Sequence, residues 1–345
     1  MLTADFDFDL PGDLIAQQPA EPRDQSRLMV LRRGNRSIEH RIFADLPDLL
    51  NPGDVLVRNV SKVVPARLIG RRVATGGAWE GLFLRALADN TWEILATTRG
   101  RPQPGEIVEV GQGLQLTLVE RHEAGRWIVC PHAEAGLDLE GLLERHGQIP
   151  LPPYIRKGLE GPGDRVNYQT VYARDPGSVA APTAGLHFTP LVFDRLDARD
   201  IARVDATLHV GIGTFRPIQT ESIEDHALHG EWAELTDSAV QTLLARREAG
   251  GRIVAVGTTS ARTLETAAKP TGRLAPFRGE TSTYLMPGHD FRGLDALLTN
   301  FHLPRSSLLV LVSALAGVEF AREAYAEAVR LRYRFYSFGD AMLIL

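Results

Sequence analysis

Leu114-Gln115-Leu116-Thr117-Leu118-Val119 sets a leucine at every second position, the spacing of a strand with one buried face. Trp92-Glu93-Ile94-Leu95-Ala96-Thr97, Glu106-Ile107-Val108-Glu109-Val110 and Trp127-Ile128-Val129-Cys130 have similar strand texture. Gly76-Gly77, Asn90, Pro104-Gly105, Gly111 to Gly113 and Gly125 separate these runs with turn residues. Short strands at such regular spacing predict a small antiparallel β-barrel between about Ala66 and Pro150.

On either side of that stretch the texture changes. Upstream, Ser26 to Leu31 and Asp54 to Asn59 read as strands, with a short helix over Asp45 to Leu50. Pro150-Leu151-Pro152-Pro153-Tyr154 reads as a stiff connector. Beyond it strand Arg203–His209, helix Ser238–Glu248, strand Arg252–Val256 and helix Ala261–Ala268 alternate, followed by helices at Leu308 and Glu319. The simplest arrangement is an α/β fold, a discontinuous layered domain of residues 1–64 and 152–345, with the barrel of residues 65–151 inserted.

The 345 residues exceed what one core usually holds. With 44% hydrophobic and 23% charged residues the composition is that of an ordinary globular protein. A formal charge of -5 argues against broad coating of nucleic acid but permits a local basic face. Cys130 is the one cysteine, so no intrachain disulfide can form, which fits a reducing cytoplasm. The N-terminus lacks a basic start and an apolar stretch, so no signal peptide is expected. The longest apolar run, Leu308 to Gly317, is half of the ~20 residues a membrane span needs and reads as a buried helix. With no coiled-coil heptad or long apolar edge strand, we expect a monomer.

Two loops of small residues stand out. The first, Gly177 to Phe188, has eight glycine, alanine, serine, threonine or proline residues in twelve and ends at His187-Phe188. The second is Leu208-His209-Val210-Gly211-Ile212-Gly213-Thr214-Phe215. Small residues let backbone approach a ligand closely, and each loop adds one histidine. Thr258-Thr259-Ser260 forms the turn between a strand and a helix, offering amides and hydroxyls to a carboxylate or ribose, with Ser260 alternatively a simple helix cap. Asn300 and His302, at a strand end, can face a heterocycle or serve only the helix start behind them. His226, His229 and Glu231 invite a metal, but the histidines lack the i, i+4 spacing of a metal helix and no cysteine cluster supports them. Glu231 beside Trp232 is the better candidate as an acid or base, because an apolar neighbour raises a carboxyl pKa. Arginines interleaved with Tyr333, Phe335 and Tyr336 near the C-terminus suit either stacking on unpaired bases or one helix edge packed on the core.

Together and in this order, these motifs resemble the S-adenosylmethionine:tRNA ribosyltransferase-isomerase family of queuosine biosynthesis. The resemblance runs through Leu14 to Gln17, Ser26 to Leu28, Leu50 to Asp54, Pro65 to Leu68, Leu151 to Ile155 and Tyr168 to Tyr172. It continues through Val179 to Phe188, Leu208 to Phe215, Val256 to Ser260, Thr299 to Pro304 and Tyr333 to Met342. One departure is visible after Asn59, where a polar residue and a threonine are usual and Val60-Ser61 stand here.

The resemblance implies transfer of the ribosyl part of S-adenosylmethionine to 7-aminomethyl-7-deazaguanine at the wobble position of a tRNA with a GUN anticodon. Epoxyqueuosine would form, and adenine and methionine would leave. S-adenosylmethionine is then a consumed substrate, and neither a cofactor nor a metal is required. The family's chemistry begins with proton loss from the ribose carbon on the sulfonium, which needs a base in a site that excludes water. By residue type, His187 or His209 would be that base and Glu231 or Asp340 a second acid or base. Thr258, Thr259 and Ser260 would hold the methionine carboxylate or ribose hydroxyls, and Asn300 with His302 would face adenine. Pro182, Thr183 and Gly185 in the first loop, with Gly211, Gly213 and Thr214 in the second, would approach the substrate. Arg23, Lys62, Arg67 and Arg334 would meet tRNA phosphates. Two other classes compete: a methyltransferase releasing S-adenosylhomocysteine, whose glycine-rich loop is not evident, and a noncatalytic RNA-binding module.

Overall fold

β1 (Arg27–Arg32) and β2 (Ser37–Ile42) form a hairpin, followed by the short helix α1 (Leu46–Leu49), β3 (Val55–Asn59) and β4 (Ser61–Val63). Then come β5 (Arg67–Arg72), β6 (Ala78–Ala86), β7 (Trp92–Thr98), β8 (Ile107–Glu109), β9 (Leu114–Arg121) and β10 (Arg126–Ala133). α2 (Leu139–His146) and β11 (Gly147–Gln148) follow. The chain returns through α3 (Asp164–Asn167), β12 (Asp175–Ser178), α4 (Pro190–Asp197), β13 (Ala202–Leu208) and β14 (Glu231–Leu235). Next are α5 (Asp237–Glu248), β15 (Ile253–Val256), α6 (Gly257–Ala268), β16 (Phe277–Thr281) and β17 (Ala296–Asn300). α7 (Ser307–Ala316), α8 (Val318–Arg330) and β18 (Ala341–Ile344) complete it. This computed structural model describes residues 1–133, 136–211, 217–269 and 271–345. Its contacts group the chain into two units.

The smaller unit comprises Val64–Leu151 and Gly158–Asp164. Its strands pair antiparallel in the order β5-β6-β7-β10-β9-β8, and β8 pairs back on β5, so six strands close into a barrel. Leu114, Leu116 and Leu118 are fully buried inside it while Gln115 and Val119 face solvent, as the period of two requires. Trp79, Trp92 and Trp127 fill the rest of the interior. Gly158–Asp164 groups with the barrel because the Arg67 guanidinium donates to Gly158 O and Ile149 N donates to Glu160 at 2.7 Å.

The larger unit comprises Met1–Val63, Pro152–Lys157 and Arg165–Leu345. It is a nine-stranded mixed sheet in the order β16-β14-β13-β3-β15-β17-β18-β1-β2, with β13, β3, β15 and β17 parallel. Val55, Val57, Ile253, Ala255, Leu297 and Met342 point to one face, where residues of α5, α6, α7 and α8 cover them. Leu56, Val254, Val256, Leu298 and Leu343 point to the other, against Val192, Phe193 and Leu196 of α4. Burial on both faces explains why β15 and β18 are apolar at every position. The sheet with helices on both faces is the layered α/β architecture, and with the barrel it gives the fold class that the sequence predicts.

Two local expectations change. α6 begins at Gly257, four residues before the expected Ala261, so Thr258, Thr259 and Ser260 form its first turn and no side chain caps it. Tyr333 and Phe335 are 1% and 0% exposed and pack in the core, so they are not a platform for unpaired bases. Among the described residues no helix is long and apolar enough to cross a membrane.

Candidate functional site

The carboxyl ends of parallel strands are where an α/β sheet opens a crevice, because neighbouring strands send their connections to opposite faces. Here β3 ends at Asn59, β13 at Leu208 before His209 and Val210, β15 at Val256 before Gly257-Thr258-Thr259, and β17 at Asn300. The motifs singled out in the sequence therefore meet at one edge of the sheet. A cavity lies among them, walled by Pro182 and Thr183 from the first loop, Thr258 and Thr259 from α6, and Asn300 and His302 after β17. Its volume is about 40 Å³, well below the ~300–1,000 Å³ typical of small-molecule sites.

Each wall has a physical reason to be polar. Gly257 takes φ +87°, a left-handed turn that a side chain resists, and turns the chain from β15 directly into α6. The first N–H groups of α6 have no partner within the helix. Thr259 Oγ1 and Asn300 Oδ1 are buried without any hydrogen bond, although their residues are only 7% and 2% exposed. Such orphans are rare in a folded interior and mark places where a ligand can supply the partner. Ser260 Oγ is likewise unpartnered, but Ser260 is fully buried behind the wall.

His187 sits beneath this wall, 4% exposed and stacked on Phe43 at 5.0 Å. Its Nδ1 is 2.8 Å from Ser26 Oγ and its Nε2 is 3.2 Å from Asn300 Nδ2. Asn300 Nδ2 also donates to Tyr336 O at 3.2 Å, and a carbonyl can only accept, which fixes the amide's orientation. Nε2 of His187 must then accept, so its proton resides on Nδ1. Burial holds the ring pKa down at about 4; the charge of Asp340 pulls it up, and those of Arg334 and Arg23 push it down. His187 is thus neutral with its basic lone pair already engaged. His302 is held lower still, at about 3, by burial, and its Nε2 meets Thr299 Oγ1 at 2.9 Å.

His209 differs. Its Nδ1 is 2.7 Å from Ser61 Oγ, its ring stacks on Trp232 at 5.2 Å, and no described hydrogen bond engages Nε2. Burial lowers its pKa and the charge of Asp175 opposes that. Asn59 fixes the region, because Oδ1 accepts from Ser61 N and Leu208 N while Nδ2 donates to Leu208 O. Ser61 keeps a hydroxyl where the family's usual threonine would stand, and Val60 is a buried core residue.

The two carboxylates expected as acids or bases are both tied to arginines. Glu231 is ion-paired with Arg262 of α6, and its Oε1 accepts from Gly211 N at 2.8 Å. Trp232 points to the opposite face of β14, so it does not supply the apolar neighbour on which the acid reading of Glu231 rested. Asp340, 1% exposed, accepts from backbone and side-chain N–H groups of Arg27 and Arg334. The three arginines among the expected phosphate contacts are also committed internally. Arg23 donates to the carbonyls of Gln169, Leu186 and Val166 and to Asn167 Oδ1 at 3.0–3.3 Å, Arg67 pairs with Glu80, and Arg334 holds Asp340. Lys62 is half-buried on β4. Gly185 packs so closely that a Cβ there would stand 2.0 Å from Tyr172 Oη. Gly213 and Thr214 lie outside the described residues. Tyr336, read in the sequence as a base-stacking or core residue, lends its carbonyl to Asn300; Arg262 and Ser26 also belong to the site, and an arginine in the otherwise small-residue turn of α6 is the one signal the sequence offers for them.

Residues 3–344 match the family described as queuosine biosynthesis protein. The chain is 53% identical over 346 residues to a protein of Symbiobacterium thermophilum and 51% identical over 346 residues to one of Moorella thermoacetica, each covering all of both chains. Both relatives are named S-adenosylmethionine:tRNA ribosyltransferase-isomerase. A crystal structure of S-adenosylmethionine tRNA ribosyltransferase from Thermotoga maritima is similar at a TM-score of 0.57 and 39% identity, covering 99% of this chain and all of that one.

Proposed function

The chain belongs to the queuosine biosynthesis protein family, and from that premise we propose that it is an S-adenosylmethionine:tRNA ribosyltransferase-isomerase. Its substrates are S-adenosylmethionine and a tRNA with a GUN anticodon carrying 7-aminomethyl-7-deazaguanine at the wobble position. The ribosyl group passes to the aminomethyl nitrogen and is isomerised, giving epoxyqueuosine, with adenine and methionine released. S-adenosylmethionine is consumed as a substrate, and the reaction takes place in the cytoplasm.

Neither His187 nor His209 lines the cavity itself, and of the two we assign the base to His209, whose Nε2 is engaged by no described hydrogen bond. In the tautomer that donates from Nδ1 to Ser61 Oγ, Nε2 carries the open lone pair, and a lowered pKa keeps the ring neutral at pH 7. The proton it takes is the one on the ribose carbon beside the sulfonium, acidified by the adjacent positive sulfur. The amides and hydroxyls of Thr258 and Thr259 at the N-terminus of α6 suit the methionine carboxylate or ribose hydroxyls. Asn300 and His302 face adenine. Glu231 and Asp340 act through the elements they tie together, and His187 acts through Asn300.

The observation that carries this proposal is the pair of unpartnered buried polar atoms, Thr259 Oγ1 and Asn300 Oδ1, on walls of one cavity at the sheet's carboxyl edge. The test is chromatography of a reaction containing S-adenosylmethionine and an anticodon stem-loop carrying the 7-aminomethyl base. Adenine and methionine released in equal amounts support ribosyl transfer. S-adenosylhomocysteine in their place means methyl transfer and overturns it.

A further inference from the structure

We infer that Asn300 selects the purine of the sulfonium substrate, accepting a hydrogen bond from its exocyclic amine through Oδ1. The inference rests on the reading that an adenosyl group enters this cavity, and it concerns which purines the site admits. Three features of the site converge on it.

First, the orientation of the amide is imposed. Nδ2 donates to Tyr336 O and to His187 Nε2, so Oδ1 is the only polar atom of the side chain left for a ligand. Second, Oδ1 has no partner, in a residue that is 2% exposed and lines the cavity. A buried acceptor of this kind attracts a donor and penalises another acceptor, because an unmet carbonyl in a dry site loses its hydration without return. Third, Ala184, Leu303, Leu308 and Tyr336 line the same cavity as Asn300 and offer apolar surface to a flat heterocycle.

The frame around the amide is itself braced. Tyr336 takes φ +75°, unusual for a tyrosine, and its N–H donates to Phe301 O at 2.9 Å. The loop that carries it is closed by Asp340, whose N–H donates to Arg334 O at 2.8 Å and whose carboxylate accepts from Arg334 N at 2.8 Å. On the other side, Ser26 holds the His187 ring in the tautomer that accepts from Asn300. Asp340, Tyr336, Ser26 and His187 are thus positioning residues for one carbonyl oxygen.

The experiment compares S-adenosylmethionine with its 6-oxo analogue, S-inosylmethionine, by calorimetric binding to the full chain without RNA. Adenine offers an N–H donor at position 6 where the analogue offers a carbonyl. A site built to pair with a donor rejects a ligand lacking it by about 10³-fold or more. The unaltered protein should therefore favour S-adenosylmethionine by about that factor, and Asn300→Ala should bring the two ligands to within about 10-fold. Near-equal binding by the unaltered protein overturns the inference without any variant. Undiminished selectivity in Asn300→Ala also overturns it. Selective binding without adenine release upon addition of the modified stem-loop would uphold the inference while sinking the ribosyl-transfer reading.

Discussion

Arg262 and Glu231 form an ion pair whose side chains are 5% and 4% exposed, joining α6 to β14. The arginine also donates to the carbonyls of Thr283 and Thr281, and the glutamate receives Gly211 N, so both ends are hydrogen-bonded beyond the pair itself. It links the helix that carries Thr258 and Thr259 to the strand behind the second small-residue loop. Removing one partner leaves an uncompensated buried charge, which costs ~3–5 kcal/mol. Arg262→Met should therefore lower the unfolding free energy by about that amount, and Arg262→Met with Glu231→Gln should recover most of it. Urea unfolding of the two variants checks this, and equal losses in both would contradict it.

If His209 Nε2 takes the ribose proton, kcat must fall when the ring is protonated. Its pKa lies below the ordinary 6.5 because burial disfavours the imidazolium. The rate should be flat through pH 7 and fall tenfold per unit on an acid limb lying below pH 6.5. His209→Asn keeps a polar atom near Ser61 but removes Nε2, so kcat should drop by ~10²–10⁴. S-adenosylmethionine binding by that variant should change little. An unchanged acid limb in the variant would assign the base elsewhere.

The neutral, buried His187 and His302 make the fold sensitive to acid. Both have folded pKa values, about 4 and about 3, below the unfolded value of 6.5. Between those limits the unfolded chain binds more protons, so stability is complete above pH 6.5 and falls as the pH drops towards 4 and then 3. Each histidine should contribute a loss of roughly 1 kcal/mol per pH unit in its window. Thermal unfolding from pH 7 to 4 measures the slope, and His302→Asn should reduce it.

The barrel and the parallel strands could be read from the chain because their signals are local. Leucine at 114, 116 and 118 states which side of β9 is inside, and an unbroken apolar run such as Ile253–Val256 states burial on both faces. α6 starts four residues before the expected Ala261, because Gly257 makes the turn where threonine and serine would favour a cap or loop. The partners of charged groups were not legible. Glu231 is next to Trp232 in sequence, yet strand geometry sends the tryptophan to His209 and brings Arg262 from a different element. Arg23, read as a surface cation, folds onto carbonyls more than 140 residues away. Asn300 and His187 are 113 residues apart, and only the sheet's topology brings them together.

Gly185 tests how tightly the first loop is packed. A Cβ there would meet Tyr172 Oη at 2.0 Å and Thr170 Cγ2 at 2.8 Å. Gly185→Ala should destabilise by ~1–3 kcal/mol through overpacking. The Tyr172 hydroxyl is buried without a partner, so Tyr172→Phe alone should cost little. Combining the two should recover part of the loss. Additive losses in a double-mutant cycle would show that the contact is not made.

The most direct measurement uses S-adenosylmethionine labelled with heavy carbon in all ribose positions and unlabelled in the methyl group. After reaction, the mass of the anticodon stem-loop is measured. Ribosyl transfer predicts that the whole ribose label appears in the RNA while free adenine and methionine remain unlabelled. A stem-loop that gains one unlabelled methyl group, with the label retained in S-adenosylhomocysteine, would contradict it.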